Sequence, residues 1–152
     1  MNHADNSLAA LIDALNGLLA DHFAIYLKTK SFHWHVTGPQ FRDLHLLFDG
    51  QATEILTLTD VIAERVRKNG GLTLTSIGAI TARSQIADQD NARLDSRAMI
   101  GELAEDNRKL IATIRDVKAI ANAAGDNATN GAADDWTDQA EQRVWFLTAL
   151  VA

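Results

Sequence analysis

The chain has 152 residues, 47% of them hydrophobic, enough for one domain with a continuous core and too few for two. One proline, nine glycines and no cysteine favour helices and exclude disulfide staples, thiolate zinc sites and iron–sulfur clusters, so oxygen and imidazole are the metal donors left. A formal net charge of −6 argues against general electrostatic retention of nucleic acid, and without a basic leader or a run of about 18 apolar residues a cytoplasmic protein is expected.

Residues 1–7, including His3, read as a flexible N-terminal segment. From 8 to 35, Leu8, Leu11, Ile12, Leu15, Leu18, Leu19, Phe23, Tyr26 and Leu27 recur at three- and four-residue spacing, which predicts a long amphipathic helix. Thr37-Gly38-Pro39 breaks it. A second helix is predicted over 41–69, with Phe41, Leu44, Phe48, Ala52, Ile55, Ile62 and Val66 as its apolar stripe. Arg65, Arg67 and Lys68 in its last turn suit the helix dipole and surface ion pairs, and Gly70-Gly71 end it. The long connection that follows carries one short candidate helix over 76–83.

A third long helix, 95–124, carries Ile100, Leu103, Leu110, Ile114, Val117 and Ala121; a fourth, 129–150, buries Trp136, Ala140, Val144, Leu147 and Leu150. The pattern predicts an all-α fold, a ferritin-like four-helix bundle with a short helix in the long connection between helices 2 and 3, formed by one domain spanning 1–152. There is no internal repeat or low-complexity tract.

All five histidines, His3, His22, His33, His35 and His45, fall within the first 45 residues. On the second helix His45 and Asp49 are four apart, as are Asp60 and Glu64, and each pair can aim two donors at one ion. His45, Asp49, Thr53, Leu56, Asp60 and Glu64 form one stripe, rotated by about 100° from the apolar one, at the edge of the bundle. Asp49 and Asp60 stand about 16 Å apart along the axis, too far for a single ion. An antiparallel second copy across a two-fold axis would bring His45 and Asp49 of one chain to the acids of the other, making two sites per dimer, with His33 completing the nitrogen side. Carboxylates with imidazole and no sulfur suit Fe(II), Mn(II) or Zn(II).

These residues resemble the Dps family, the DNA-binding proteins from starved cells, a mini-ferritin branch. The resemblance lies in Phe32-His33-Trp34, Gly38, Phe41, Leu44-His45, Phe48-Asp49, Asp60, Ala63-Glu64-Arg65 and Gly70-Gly71, with Gly125-Asp126, Thr129 and Trp145 extending it over nearly the whole chain. It implies a hollow homo-oligomer, a dodecamer built from two-fold dimers, whose inter-subunit ferroxidase centres oxidise Fe(II) with hydrogen peroxide, or oxygen less readily, and store Fe(III) mineral. His33, His45 and Asp49 match the metal ligands of one subunit, and Asp60 and Glu64 those of its partner. Iron is the expected metal, with zinc or manganese able to substitute. Trp34 matches the family's tryptophan beside the site, as a radical trap or an interface aromatic. An acid-lined entry pore places Asp126, with Asp134 and Asp135 nearby, although helix N-terminal charges give the same pattern.

Family members that bind DNA and join the nucleoid commonly carry a lysine-rich N-terminal arm, whereas Met1 to Asn16 holds no Lys or Arg, so weak or absent DNA binding is expected. The Glu-x-x-His pattern of ordinary ferritins fails, because no histidine follows residue 45. His22 falls on the apolar stripe as a core or interface residue, and His35 reads as a surface residue. The competing readings are a nucleic-acid architectural protein and a zinc or manganese bundle without redox turnover.

Overall fold

The computed structural model describes residues 3–152, so Met1 and Asn2 of the segment read as flexible lie outside the described residues. It has α1 (His3–His35), α2 (Phe41–Lys68), α3 (Ile77–Arg83), α4 (Ser96–Ala124) and α5 (Asn127–Ala149), with no strand among the described residues. Helix α1 starts one turn earlier than the apolar periodicity indicates, because Asp5 in the first turn suits the positive helix end. The other boundaries follow their caps. Ser76, Asp95 and Asp126 each accept a hydrogen bond from the backbone three residues on, at Ala79, Ala98 and Thr129.

Helix α2 is closed by Gly70, whose φ of 81° is open to glycine at little cost. Gly71 then passes so close to α1 that a Cβ would come within 2.6 Å of the Ile12 side chain. This close approach fixes the exit of the chain into the long connection. There α3 leans on α1, while α1 packs along α2, α4 packs along α5, and α1 joins the pairs through α4.

The core is split. One apolar cluster holds Leu11 to Ile25 of α1, Ile55 to Val66 of α2, Leu110 to Ala121 of α4 and Ala133 to Ala140 of α5. The other holds Phe32 and Val36, Leu44 and Phe48, Met99 to Ala104, and Leu147. In the gap on each of the four long helices stands a polar layer, buried at Lys28, Asp106, Asn107 and Arg143 and partly open to water at Glu54 and Glu102. Arg143 donates from Nε to Asn107 (2.8 Å) and from Nη1 to Glu54, and Lys28 lies between Asp106 (2.8 Å) and Glu102 (3.1 Å). Paired in this way, the buried charges tie all four long helices in one register.

This layer corrects the predicted stripe of α5. Arg143, only 2% exposed, takes the core position between Ala140 and Leu147, and Val144 is half-buried. The register turns by one residue because Glu54 and Asn107 complete a charged core position that the apolar pattern alone assigns to valine. Two other apolar assignments also move outward: Leu27 is 59% exposed and Phe41 45%.

Helix α1 also contains a window of mean hydropathy 1.4, apolar enough by length and composition to cross a membrane. Half of that window is buried in the bundle, and the same helix buries Asp21, His22 and Lys28 in polar contacts. Its hydropathy is that of a core helix.

Candidate metal centre

The break at Gly38, with φ 106°, folds α2 back so that its first turns meet the last turn of α1. There His33 and His45 clamp each other. His33 Nδ1 donates to the His45 carbonyl (2.6 Å), and His45 Nδ1 donates to the His33 carbonyl (2.7 Å). A carbonyl only accepts, so each Nδ1 carries its ring's proton and, in the neutral rings, each Nε2 keeps a lone pair. This is how metal-ligating imidazoles are held elsewhere, with the far nitrogen tied to a backbone carbonyl and the near one left for the ion. The rings stack at 3.8 Å and 12°, and Phe41 lies against His45 at 5.0 Å.

Asp49, one turn beyond His45, brings Oδ1 to 3.9 Å from His33 Nε2, close enough to share an ion and too far for a hydrogen bond. The same oxygen is ion-paired with Lys30, whose ammonium chiefly holds the carboxyl below its ordinary range. One chain thus sets His33 and Asp49 within reach of one ion at a half-open edge, with His45 stacked on His33, and stops short of a complete three-donor group.

Asp60 and Glu64 lie further along α2 and are exposed, Glu64 carrying an ion pair to Lys68 at 3.3 Å. The structure does not bring them to the imidazoles within the chain. Among the described residues, no three His, Asp or Glu side chains are placed to hold a metal ion. Around these donors the surface is apolar where water would favour polar groups: Trp34 is 58% exposed, and Leu46, Leu56 and Val61 are exposed on α2. Leu27, Trp34 and Ile77 line a groove between α1 and α3.

The pore candidates take separate places. Asp126 caps α5 and is gripped by Arg65 (2.7 Å), Asn69 (2.8 Å) and Thr129, which hold its carboxyl far below the usual range even though partial burial raises it. Asp134 pairs with Lys118 at 3.0 Å, and Asp135 is exposed. His22 is fully buried, as its stripe position implies, and His35 is an exposed residue bonded to Ser31.

The spacing of histidines and acids does not mark Lys30, although its position three residues before His33 puts it on the same side of α1. Nor does it mark Lys28 or Arg143. Their signal is a charge standing at a core position: Arg143 continues the four–three–four spacing of Trp136, Ala140 and Leu147.

The comparisons with known proteins fit this geometry. The ferritin-like domain family matches residues 12–152, and the chain belongs to it. A Dps from Thermosynechococcus elongatus superposes with a TM-score of 0.96 at 26% identity, covering 99% of this chain and 96% of that one. A Dps protein from Vibrio cholerae, described as a member of a broad superfamily of ferritin-like diiron-carboxylate proteins, gives 0.92 at 27% identity over 97% and 92%. The DNA protection during starvation protein of Brevibacillus brevis is 29% identical over 137 residues, 90% of this chain and 91% of its own. Within the ferritin-like family, the chain is a mini-ferritin of the Dps branch.

Proposed function

We propose that this protein is a ferroxidase that detoxifies and stores iron, binding Fe(II) between two copies of the chain and holding the Fe(III) product as mineral inside a hollow oligomer. The observation that carries the reading is the reciprocal histidine clamp. It fixes two tautomers, leaves both Nε2 atoms open, and stands on an exposed apolar surface with one carboxylate. Such a donor set is incomplete in one chain, and the exposed Asp60 and Glu64 supply oxygen donors of the right type from a second copy. The kinship with proteins described as diiron-carboxylate supports iron as the substrate.

In this reading His33, His45 and Asp49 of one subunit and Asp60 and Glu64 of its partner bind Fe(II). Two Fe(II) give two electrons to one hydrogen peroxide, which takes two protons and leaves as two waters; oxygen serves as a slower oxidant. Fe(III) is harder, favours oxide over imidazole, and moves to the mineral phase. Zinc and manganese fit the same donors and would occupy them without turnover. In this reading Trp34, the residue after His33, packs at the interface or quenches radicals.

By this reading the two-fold dimers assemble into a dodecamer in the cytoplasm, with Asp126, Asp134 and Asp135 near the iron entry. A net charge of −6 keeps DNA binding weak, against the name that several relatives carry. The test is Asp60→Ala combined with Glu64→Ala. Loss of fast peroxide-driven Fe(II) oxidation in an oligomer of unchanged size supports the assignment, and wild-type rates refute it.

A further inference from the structure

A fixed cation already stands among the proposed donors. Lys30 holds Asp49 through Oδ1, and Oδ1 is also the oxygen that approaches His33 Nε2 at 3.9 Å. An ammonium and a metal ion therefore compete for one atom. Lys30 lies one turn before His33 on the same side of α1, and its side chain is 24% exposed, so it has a short path into water. Its flexible four-carbon stem carries a point charge rather than a two-pronged fork, and can release a carboxylate without dismantling its surroundings.

We propose that Lys30 is the resident counter-ion of the empty centre, and that once displaced, its tethered ammonium favours release of a trivalent product over a divalent substrate. The inference rests on the reading of Asp49 as a ligand. Empty, the site is neutralised by Lys30, which keeps Asp49 aimed at the imidazoles. Filled, the site carries a metal charge that the nearby ammonium repels in proportion to that charge, three parts for an oxidised ion against two for the entering one. The tether keeps this repulsion local, because α1 holds the Lys30 backbone one turn from His33. Lys30 thereby acts as a positioning residue for Asp49 and as a charge filter at the centre.

The test measures binding on the assembled protein, without iron or oxidant. Co(II) is titrated by calorimetry and Tb(III) by luminescence sensitised through tryptophan, in the wild type, Lys30→Gln, Lys30→Met and Asp49→Ala. Removing the ammonium is expected to tighten Co(II) roughly tenfold and Tb(III) roughly thirtyfold in both Lys30 variants, the larger factor following from the three-to-two ratio of charges. Asp49→Ala is expected to weaken both ions.

If Asp49→Ala weakens binding while either Lys30 variant leaves affinity unchanged, lowers it, or tightens the two ions equally, the role of Lys30 is rejected and the metal centre stands. If Asp49→Ala binds like the wild type, the centre itself is misassigned and the inference falls with it.

Discussion

His22 gives a pH dependence that can be worked out from the structure. Its ring is completely buried, Nδ1 bonds the Leu18 carbonyl at 2.8 Å, and Nε2 has no hydrogen-bond partner. Burial, aided by the charge of Arg143 and opposed by the Leu18 carbonyl, brings its pKa from 6.5 down to about 4. The unfolded chain therefore takes up a proton below pH 6.5 that the folded chain refuses until about pH 4. Stability contributed by the neutral ring is complete above 6.5 and is lost as pH falls toward 4. At about 1.4 kcal/mol per pH unit the whole loss is about 3 kcal/mol per chain, and about 2 kcal/mol is gone by pH 5.

The assay is urea unfolding at fixed protein concentration, followed by tryptophan fluorescence at pH 7 and pH 5, in the wild type and in His22→Gln. Asp21 acts in the opposite sense. Burial raises its pKa against hydrogen bonds from Gln85 and Ser84, so it gains stability as pH falls through its folded value, equally in both proteins. The difference between the two curves isolates His22. The wild type should lose about 2 kcal/mol more than the variant between the two pH values. Parallel losses would refute the buried neutral imidazole.

Arg143→Met leaves Asn107 without its donor and Glu54 without its counter-charge. Because Glu54 can turn partly to water, the cost is expected near the lower end for a broken buried pair, about 3 kcal/mol, read as a fall in the unfolding midpoint. Adding Glu54→Gln should recover part of it. Asp126→Ala removes both the α5 cap and the partner of Arg65, with an expected loss of about 2 kcal/mol at neutral pH. Asp126→Asn keeps the cap and should cost less. The Asp126 pair holds that carboxyl's pKa down, so its contribution is present above pH 3.8 and fades as pH falls toward its lowered folded value.

Helix number and order, and the helix ends apart from the start of α1, were legible to within about two residues because caps and breakers are local. Asp95 and Gly125 bracket α4 in sequence as they do in space, and Gly38 with Pro39 marks the turn that brings His45 to His33. That His45, Asp49, Asp60 and Glu64 lie along one stripe of α2 was legible for the same reason, since they share a helical period. What stayed hidden depends on neighbours distant in the chain. Arg143 can enter the core only because Glu54, 89 positions away, and Asn107 meet it there, and an apolar count prefers Val144. The mutual carbonyl bonds of His33 and His45 need the facing backbone of another helix, which no spacing rule contains.

The most direct test of a centre shared between two chains is complementation. One subunit carries His33→Ala with His45→Ala, the other Asp60→Ala with Glu64→Ala, and the two are assayed for Fe(II) oxidation alone and co-assembled. Each homo-oligomer should be inactive, whereas every mixed dimer should regain one intact centre, with donors from one subunit and acids from the other. Activity that appears only on mixing is the predicted result. A mixture as inactive as its parents, with mixed dimers demonstrated by mass, would contradict the shared centre.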